Sequence, residues 1–178
     1  MALTSTMYRF AIELSDVDRG VYAPLDLRVP MHPSETPRRM LARVLALSLH
    51  YEEGIAMGRG LSNVDEPAVW EKDLQGRVLH WIDVGLPAPD RLHRASKLAD
   101  RVSVYLYEPA PHWIKDLTKA TVHRKDELEV WVLPSALLEG LEAQLDRKVG
   151  WSVTRSDSVL YVEADGQSFE GTPERLTF

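Results

Sequence analysis

Between residues 77 and 146, strand-like and helix-like stretches alternate, and this limits the folds open to the chain more than any other feature. Arg77-Val78-Leu79-His80-Trp81-Ile82-Asp83-Val84-Gly85 is a short, largely apolar run of the kind a buried strand needs. Pro87, Pro89 and Asp90 lead into a helix near 90–100, and Val102-Ser103-Val104-Tyr105-Leu106-Tyr107 reads as the next strand. A helix around 113–117, a strand at 128–133 and a helix from 134 to about 146 follow. Strand, helix and strand in this order imply parallel crossovers with helices on both faces of a sheet.

The two ends follow a different period. In Met7-Tyr8-Arg9-Phe10-Ala11-Ile12-Glu13-Leu14 apolar residues recur at every second position. Asp16-Val17-Asp18-Arg19-Gly20 carries turn chemistry, and Leu25-Asp26-Leu27-Arg28-Val29 alternates again, which predicts an antiparallel hairpin. Trp151-Ser152-Val153-Thr154 and Val159-Leu160-Tyr161-Val162 predict a second one. After the first hairpin, Thr36 can cap a helix whose first position is Pro37, and Met40, Leu41, Val44, Leu45, Leu47 and Leu49 give it a wide apolar stripe. Gly54 is expected to end it, which puts Glu52 and Glu53 in the last turn, where the helix dipole disfavours negative charge. Either solvation or a bound cation accounts for them. Asp65 is expected to cap a short helix with Pro67 in its first turn, broken at Gly76.

The expected fold is therefore α/β (α+β): a mixed β-sheet flanked by helices, with β-hairpins at both ends. A length of 178 residues fits one domain over 1–178. The chain has no cysteine, which removes disulfides, thiolate metal sites and cysteine nucleophiles together, and fits a reducing, cytoplasmic setting. No stretch approaches the roughly 20 apolar residues of a membrane span, and residues 1–6 lack the pattern of a signal peptide. A net charge of −6 argues against general nucleic-acid affinity. The charge is uneven, however: residues 89–125 hold eight Lys/Arg against four Asp/Glu, either a solvated helical face or a local basic surface.

Asp83 is the most informative single residue. It lies near the C-terminal end of an apolar strand, where ligands of open α/β sheets usually bind, and a buried carboxylate must be paired, hydrogen-bonded or metal-bound. Pairing with Arg77 or Arg91, or capping the turn at Gly85, would satisfy it without any ligand. The alternative is that Asp65 or Glu66 joins Asp83 and the pair Glu52 and Glu53 around a hard cation such as magnesium. The histidines show no HxH, HxxH or HExxH spacing, which disfavours zinc. No GxGxxG, GxxxxGK[ST] or GxSxG occurs, which disfavours dinucleotide binding, P-loop hydrolysis and α/β-hydrolase chemistry. The five tryptophans read as core or near-core residues.

Six segments in order resemble the YaeQ family: Met1-Ala2-Leu3 before the first strand, His32-Pro33-Ser34-Glu35-Thr36, Arg59-Gly60-Leu61, Asp65-Glu66-Pro67 with Trp70, Trp81-Ile82-Asp83-Val84-Gly85 with Pro87, and Arg91-Leu92 to Ala95. YaeQ-like proteins resemble the PD-(D/E)XK nuclease superfamily in fold. The resemblance implies a restriction-endonuclease-like variant with its core helix at 36–53 and magnesium held by acids at strand ends. The reaction it implies is metal-assisted hydrolysis of a phosphodiester in nucleic acid, by Asp83, Glu66, Asp65 and Lys97. Asp83, Glu66, Asp65, Glu52 and Glu53 would hold Mg2+, and Arg94, Arg91 and Arg59 would take the phosphate. The chain departs from the (D/E)xK pattern, because Gly85 and not lysine stands two residues after Asp83. An alternative is a non-catalytic module that keeps the fold and binds nucleic acid or a protein partner.

Overall fold

Period-two alternation gives β1 (Thr6–Asp16) one dry face and one wet face: Phe10, Ile12 and Leu14 are buried, while Met7, Arg9, Ala11 and Glu13 are exposed. The computed structural model describes residues 4–178, so Met1-Ala2-Leu3 lies outside it. β1 pairs antiparallel with β2 (Val21–Met31) in the first hairpin. The second hairpin is β8 (Lys148–Ser156) with β9 (Val159–Ala164), extended by β10 (Gln167–Gly171). Parallel pairing of β1 with β8 joins the two hairpins into one five-stranded sheet, in the order β10-β9-β8-β1-β2. Its edge strand β2 carries Pro24 and Pro30, residues that sheets confine to edges because they lack an N–H.

The alternating middle of the chain builds a second, six-stranded sheet, in the order β11-β7-β6-β5-β4-β3. Its centre is the parallel set β5 (Val78–Val84), β6 (Arg101–Leu106) and β7 (Glu129–Val132). β3 (Ile55–Met57) and β4 (Val69–Lys72) extend one side, and β11 (Glu174–Leu176) pairs antiparallel with β7 on the other. Helices α2 (Pro89–Leu98) and α3 (Pro111–Lys119) cover one face. Trp81, Leu92, Val104, Leu117 and Val130 pack there as one apolar cluster. The other face, with Ile82 and Val84, belongs to a larger core shared with α1 (Pro37–Leu49), α4 (Ser135–Ala143) and the first sheet.

Two sheets, where one mixed sheet was expected, follow from α1. Every residue from Met40 to Leu49 is buried, so the helix is dry on all sides and needs an apolar partner on both. The six-stranded sheet covers one side, and the joined hairpins cover the other. Thr36 caps α1 as its sequence predicts, accepting from the Arg39 N–H, and Pro37 opens it. The helix ends earlier than expected, at His50, whose N–H bonds back to the carbonyls of Ala46 and Leu47, while the Tyr51 N–H takes that of Ser48. Glu52 and Glu53 therefore lie beyond the helix, next to the turn at Gly54. The helix expected after Asp65 is instead a turn followed by β4. Asn63, not Asp65, supplies the turn bond, its Oδ1 accepting from the Asp65 N–H. Val69 and Trp70 then find ladder partners on β3 and β5, and this pairing outweighs the capping signal.

One charge is sealed inside this core. Arg43 is fully buried on α1 and meets Glu35 in a two-pronged pair, Nε–Oε1 2.7 Å and Nη2–Oε2 2.8 Å. Nη2 also donates to the Pro30 carbonyl at 2.9 Å, whereas Nη1 is buried without an acceptor among the described residues. Burial pushes the Arg43 pKa down, and the Glu35 charge opposes that shift. Neutralising Glu35 strands a buried cation, so Glu35→Gln is expected to cost about 3–5 kcal/mol in urea unfolding, and Arg43→Met in that background to recover much of the loss.

Candidate functional site

The pleat of β5 decides which side chains meet. Odd-numbered Trp81 and Asp83 point toward α2, and even-numbered His80, Ile82 and Val84 point toward α1. Asp83 is 4 % exposed, and both its oxygens are taken by Arg91: Nε–Oδ2 2.9 Å and Nη2–Oδ1 3.0 Å. Arg91 also donates to the carbonyls of Glu66, at 2.8 Å, and of Val64. Arg77, the other partner considered for Asp83, pairs with Asp100 instead. The Asp83–Arg91 pair thus ties the 58–68 loop to the end of β5. The neck of that loop is tight: a Cβ on Gly58 would stand 1.9 Å from the Pro67 carbonyl oxygen, so no other residue fits there.

The acids expected around Asp83 are only partly brought to it. Glu66 shares a cavity wall with Asp83, but its carboxylate is bound by Arg59, and the Arg59 backbone N–H holds its pKa below the usual range. Asp65 lines a neighbouring hollow beside Arg91 and Arg94. Lys97 is exposed in the last turn of α2, and Glu53 is exposed beside Gly54. Glu52 lines a different cavity, which Asp83 does not reach. With both Asp83 oxygens engaged by a guanidinium, a cation there would have to displace Arg91, so this arrangement does not fit magnesium. Among the described residues, no group of three or more His, Asp or Glu is arranged to hold a metal ion.

The cavity that Glu52 lines opens between the two sheets and measures about 310 Å³. Arg19 comes from the β1–β2 turn, His50 from the C-cap of α1, Glu52 from the segment after it, Glu71, His80, Arg101, Tyr105 and Trp131 from β4 to β7 of the six-stranded sheet, and Arg155 from β8. Antiparallel pairing sets Glu71 directly opposite His80. His80 Nε2 lies 2.7 Å from Ser103 Oγ, and Ser103 donates to Glu129, which receives both prongs of Arg101 at 2.7 and 2.8 Å. The Ser103–Glu129 contact is long, at 3.5 Å, and the Ser103 hydroxyl can meet either tautomer of the His80 ring. His50 Nε2 and the Tyr105 hydroxyl are 2.6 Å apart. Burial pushes the Tyr105 pKa up, and burial with the neighbouring His80 pushes His50 well down. Glu71 is raised, first by burial and then by the Glu52 charge, as for two carboxylates crowded together. Arg19 donates Nε to Asp16 at 2.7 Å and Nη1 to the Tyr51 carbonyl at 3.1 Å, while its Nη2 is buried without an acceptor among the described residues.

The family model described as YaeQ protein matches residues 1–173. The chain belongs to the YaeQ family. It is 31% identical over 172 residues to the "Uncharacterized protein YaeQ" of Escherichia coli (strain K12), covering 96% of this chain and 94% of that one. To the YaeQ of Salmonella typhi it is 30% identical over 165 residues, 91% of this chain and 90% of that one. The crystal structure of YaeQ protein from Pseudomonas syringae superposes with a TM-score of 0.89 at 39% identity, covering 98% of this chain and 97% of that one. The YaeQ structure from Xanthomonas axonopodis pv. citri gives 0.89 at 35% identity, over 97% and 98%.

In this YaeQ chain, sequence reasoning passed over Glu71, His80 and the three cleft arginines. Arg19 reads as turn chemistry and Arg101 as part of a basic stretch, so only His80, polar within an apolar strand, carried a visible signal. Two outcomes are expected. With chelator present, Asp83→Asn should cost about 1–3 kcal/mol in thermal or urea unfolding, the penalty of an ill-paired, part-buried guanidinium, and should hasten proteolysis within 58–68. Burial lowers His80 from 6.5 to about 3. The unfolded chain therefore takes up that proton near its ordinary value and the folded chain does not. Stability from this group is full above 6.5 and is lost as pH falls toward 3, by about 1.4 kcal/mol per pH unit. His50 acts in the same direction. Urea midpoints measured at falling pH should show this slope, and His80→Gln should flatten it.

Proposed function

We propose that this protein is a magnesium-dependent phosphodiester hydrolase of nuclease-like type acting on nucleic acid, with the inter-sheet cleft as its site in place of the Asp83 wall. The observation that carries this reading is Arg19 Nη2, a cationic donor buried in the cleft wall with no acceptor among the described residues. A phosphate oxygen is the acceptor such a donor best fits. The charges of the cleft support a metal partner for that phosphate. Arg19, Arg101 and Arg155 face Asp16, Asp18, Glu52, Glu71 and Glu129, three positive charges against five negative. A phosphate entering alone would meet net repulsion; a divalent cation on Glu52 and Glu71 reverses the sign. Magnesium commonly takes only one or two protein carboxylates, completing its shell with water and phosphate oxygens, so two acids suffice. When bound, it would lower the pKa of a water and neutralise charge on the phosphate. Arg19 and Arg155 would orient the phosphate, and His80, kept neutral by burial and held by Ser103, would be a hydrogen-bonding partner rather than a base. The restriction-endonuclease-like architecture implied by the YaeQ resemblance, a core helix beside a mixed sheet with acids near strand ends, is compatible with α1 and with Glu71 on β4.

Binding without hydrolysis is the second reading, favoured by the make-up of the cleft lining: its cations are all arginine, and arginine cannot serve as a base. One experiment separates the two. Single- and double-stranded DNA and RNA are offered with magnesium or with chelator, and binding and cleavage are followed. Hydrolysis predicts magnesium-dependent cleavage, at least tenfold slower in Glu71→Gln, with binding weakened in Arg19→Gln. Salt-sensitive binding with no cleavage, unchanged in Glu71→Gln, would establish the second reading and overturn the first.

A further inference from the structure

The cavity beside Asp83, at the C-terminal end of β5, measures about 270 Å³, and the ion pairs in and behind its wall leave one arginine in excess. Glu35 serves two guanidiniums at once. Its Oε1 accepts from Arg39 Nη1 and from Arg43 Nε, each at 2.7 Å, and its Oε2 from Arg43 Nη2. The Asp83–Arg91 and Glu66–Arg59 pairs are each neutral. The group as a whole therefore carries four arginine charges against three carboxylates, an excess of one positive charge.

The excess is available at Arg39. Its side chain is 16% exposed, it lines the cavity, and Glu35 is the one acceptor it has among the described residues. Beside it is Tyr107, which lines the same cavity and makes no hydrogen bond among the described residues, so its hydroxyl is a second unspent donor. The rim is apolar: Leu61, Val64 and Leu86 are all exposed there, at 40%, 74% and 54%. A doubly charged, heavily hydrated phosphate suits such a rim poorly, whereas one carboxylate on a short apolar chain matches both the single excess charge and the greasy mouth. The volume lies just below the range of drug-sized sites, which limits the occupant to a small group.

We propose that this cavity binds a small monocarboxylate with a short branched apolar chain, its carboxylate on Arg39 and Tyr107 and its chain against Leu61, Val64 and Leu86. The inference is independent of the inter-sheet cleft and of any hydrolysis there. The same chemistry occurs in a free acid and at the C-terminal end of a peptide, and the test separates these sources.

The test is titration of the full chain with 3-methylbutanoate, 3-methylbutanamide, inorganic phosphate and N-acetyl-leucine, followed by calorimetry and by backbone amide shifts. The expected result is saturable binding of 3-methylbutanoate, with shifts at Gly85 and Leu86 and at least tenfold preference over the amide and phosphate. Tighter binding of N-acetyl-leucine would identify a peptide end as the source, and weaker binding a free acid. Arg39→Gln should weaken binding at least tenfold and Tyr107→Phe about threefold, the loss of one hydrogen bond. Should Arg39→Gln fail to fold, Leu86→Glu places a repelling charge on the exposed rim and should cause a similar loss. Equal binding of the amide, binding unchanged in the variants, or no binding tighter than about 1 mM would overturn the proposal.

Discussion

The whole molecule depends on a helix that has no wet side. With every residue from Met40 to Leu49 buried, α1 can exist only between two apolar layers, and both sheets take their positions from it. Helices dry on every face belong to the centre of a fold, and packing rather than intrinsic propensity is what stabilises them. The Glu35–Arg43 pair adds direction to this packing. A buried guanidinium accepts few arrangements of its neighbours, and this one brings the 30–35 segment onto the first two turns of α1 through Glu35 and the Pro30 carbonyl.

β5 plays the complementary part in the second sheet. Its alternation sends His80 into the inter-sheet cleft and Asp83 to the opposite face, three residues away along one strand. The two polar sites lie at different ends of β5 and have different chemistry. On the Asp83 side, carboxylates and arginines close on each other in pairs, and one arginine charge is left over. In the cleft, the Glu52 charge bears on Glu71, and an arginine donor has no acceptor among the described residues. Tight bidentate pairs rigidify a loop. Crowded like charges beside a buried unpaired donor are what the proposed site rests on.

Much of the architecture was readable in the residues. The opening and closing hairpins, the Thr36-Pro37 start of α1 and the parallel β5-β6-β7 set with α2 and α3 between the strands all follow from local periodicity, capping and turn chemistry. These signals act over a few residues, so they survive without knowledge of distant partners. The short β4 was misread because its two strand-forming residues follow a strong cap signal, and only pairing with β3 and β5 decides between them.

The candidate site was legible only in outline. The chain by itself determined that Asp83 is buried and needs a partner, since an acid inside an apolar strand has few other fates, and Arg91 was among the partners its spacing allowed. It also determined that no thiol chemistry occurs here. Only the tertiary structure decided that Glu52 leaves Asp83 for Glu71, and that Arg19, Arg101 and Arg155 converge on one cleft. Those residues come from the β1–β2 turn, β6 and β8, and they meet because β1 pairs parallel with β8 while α1 holds the sheets a helix apart. Contacts of that range depend on how the layers stack around α1, and no local pattern of residues carries that information.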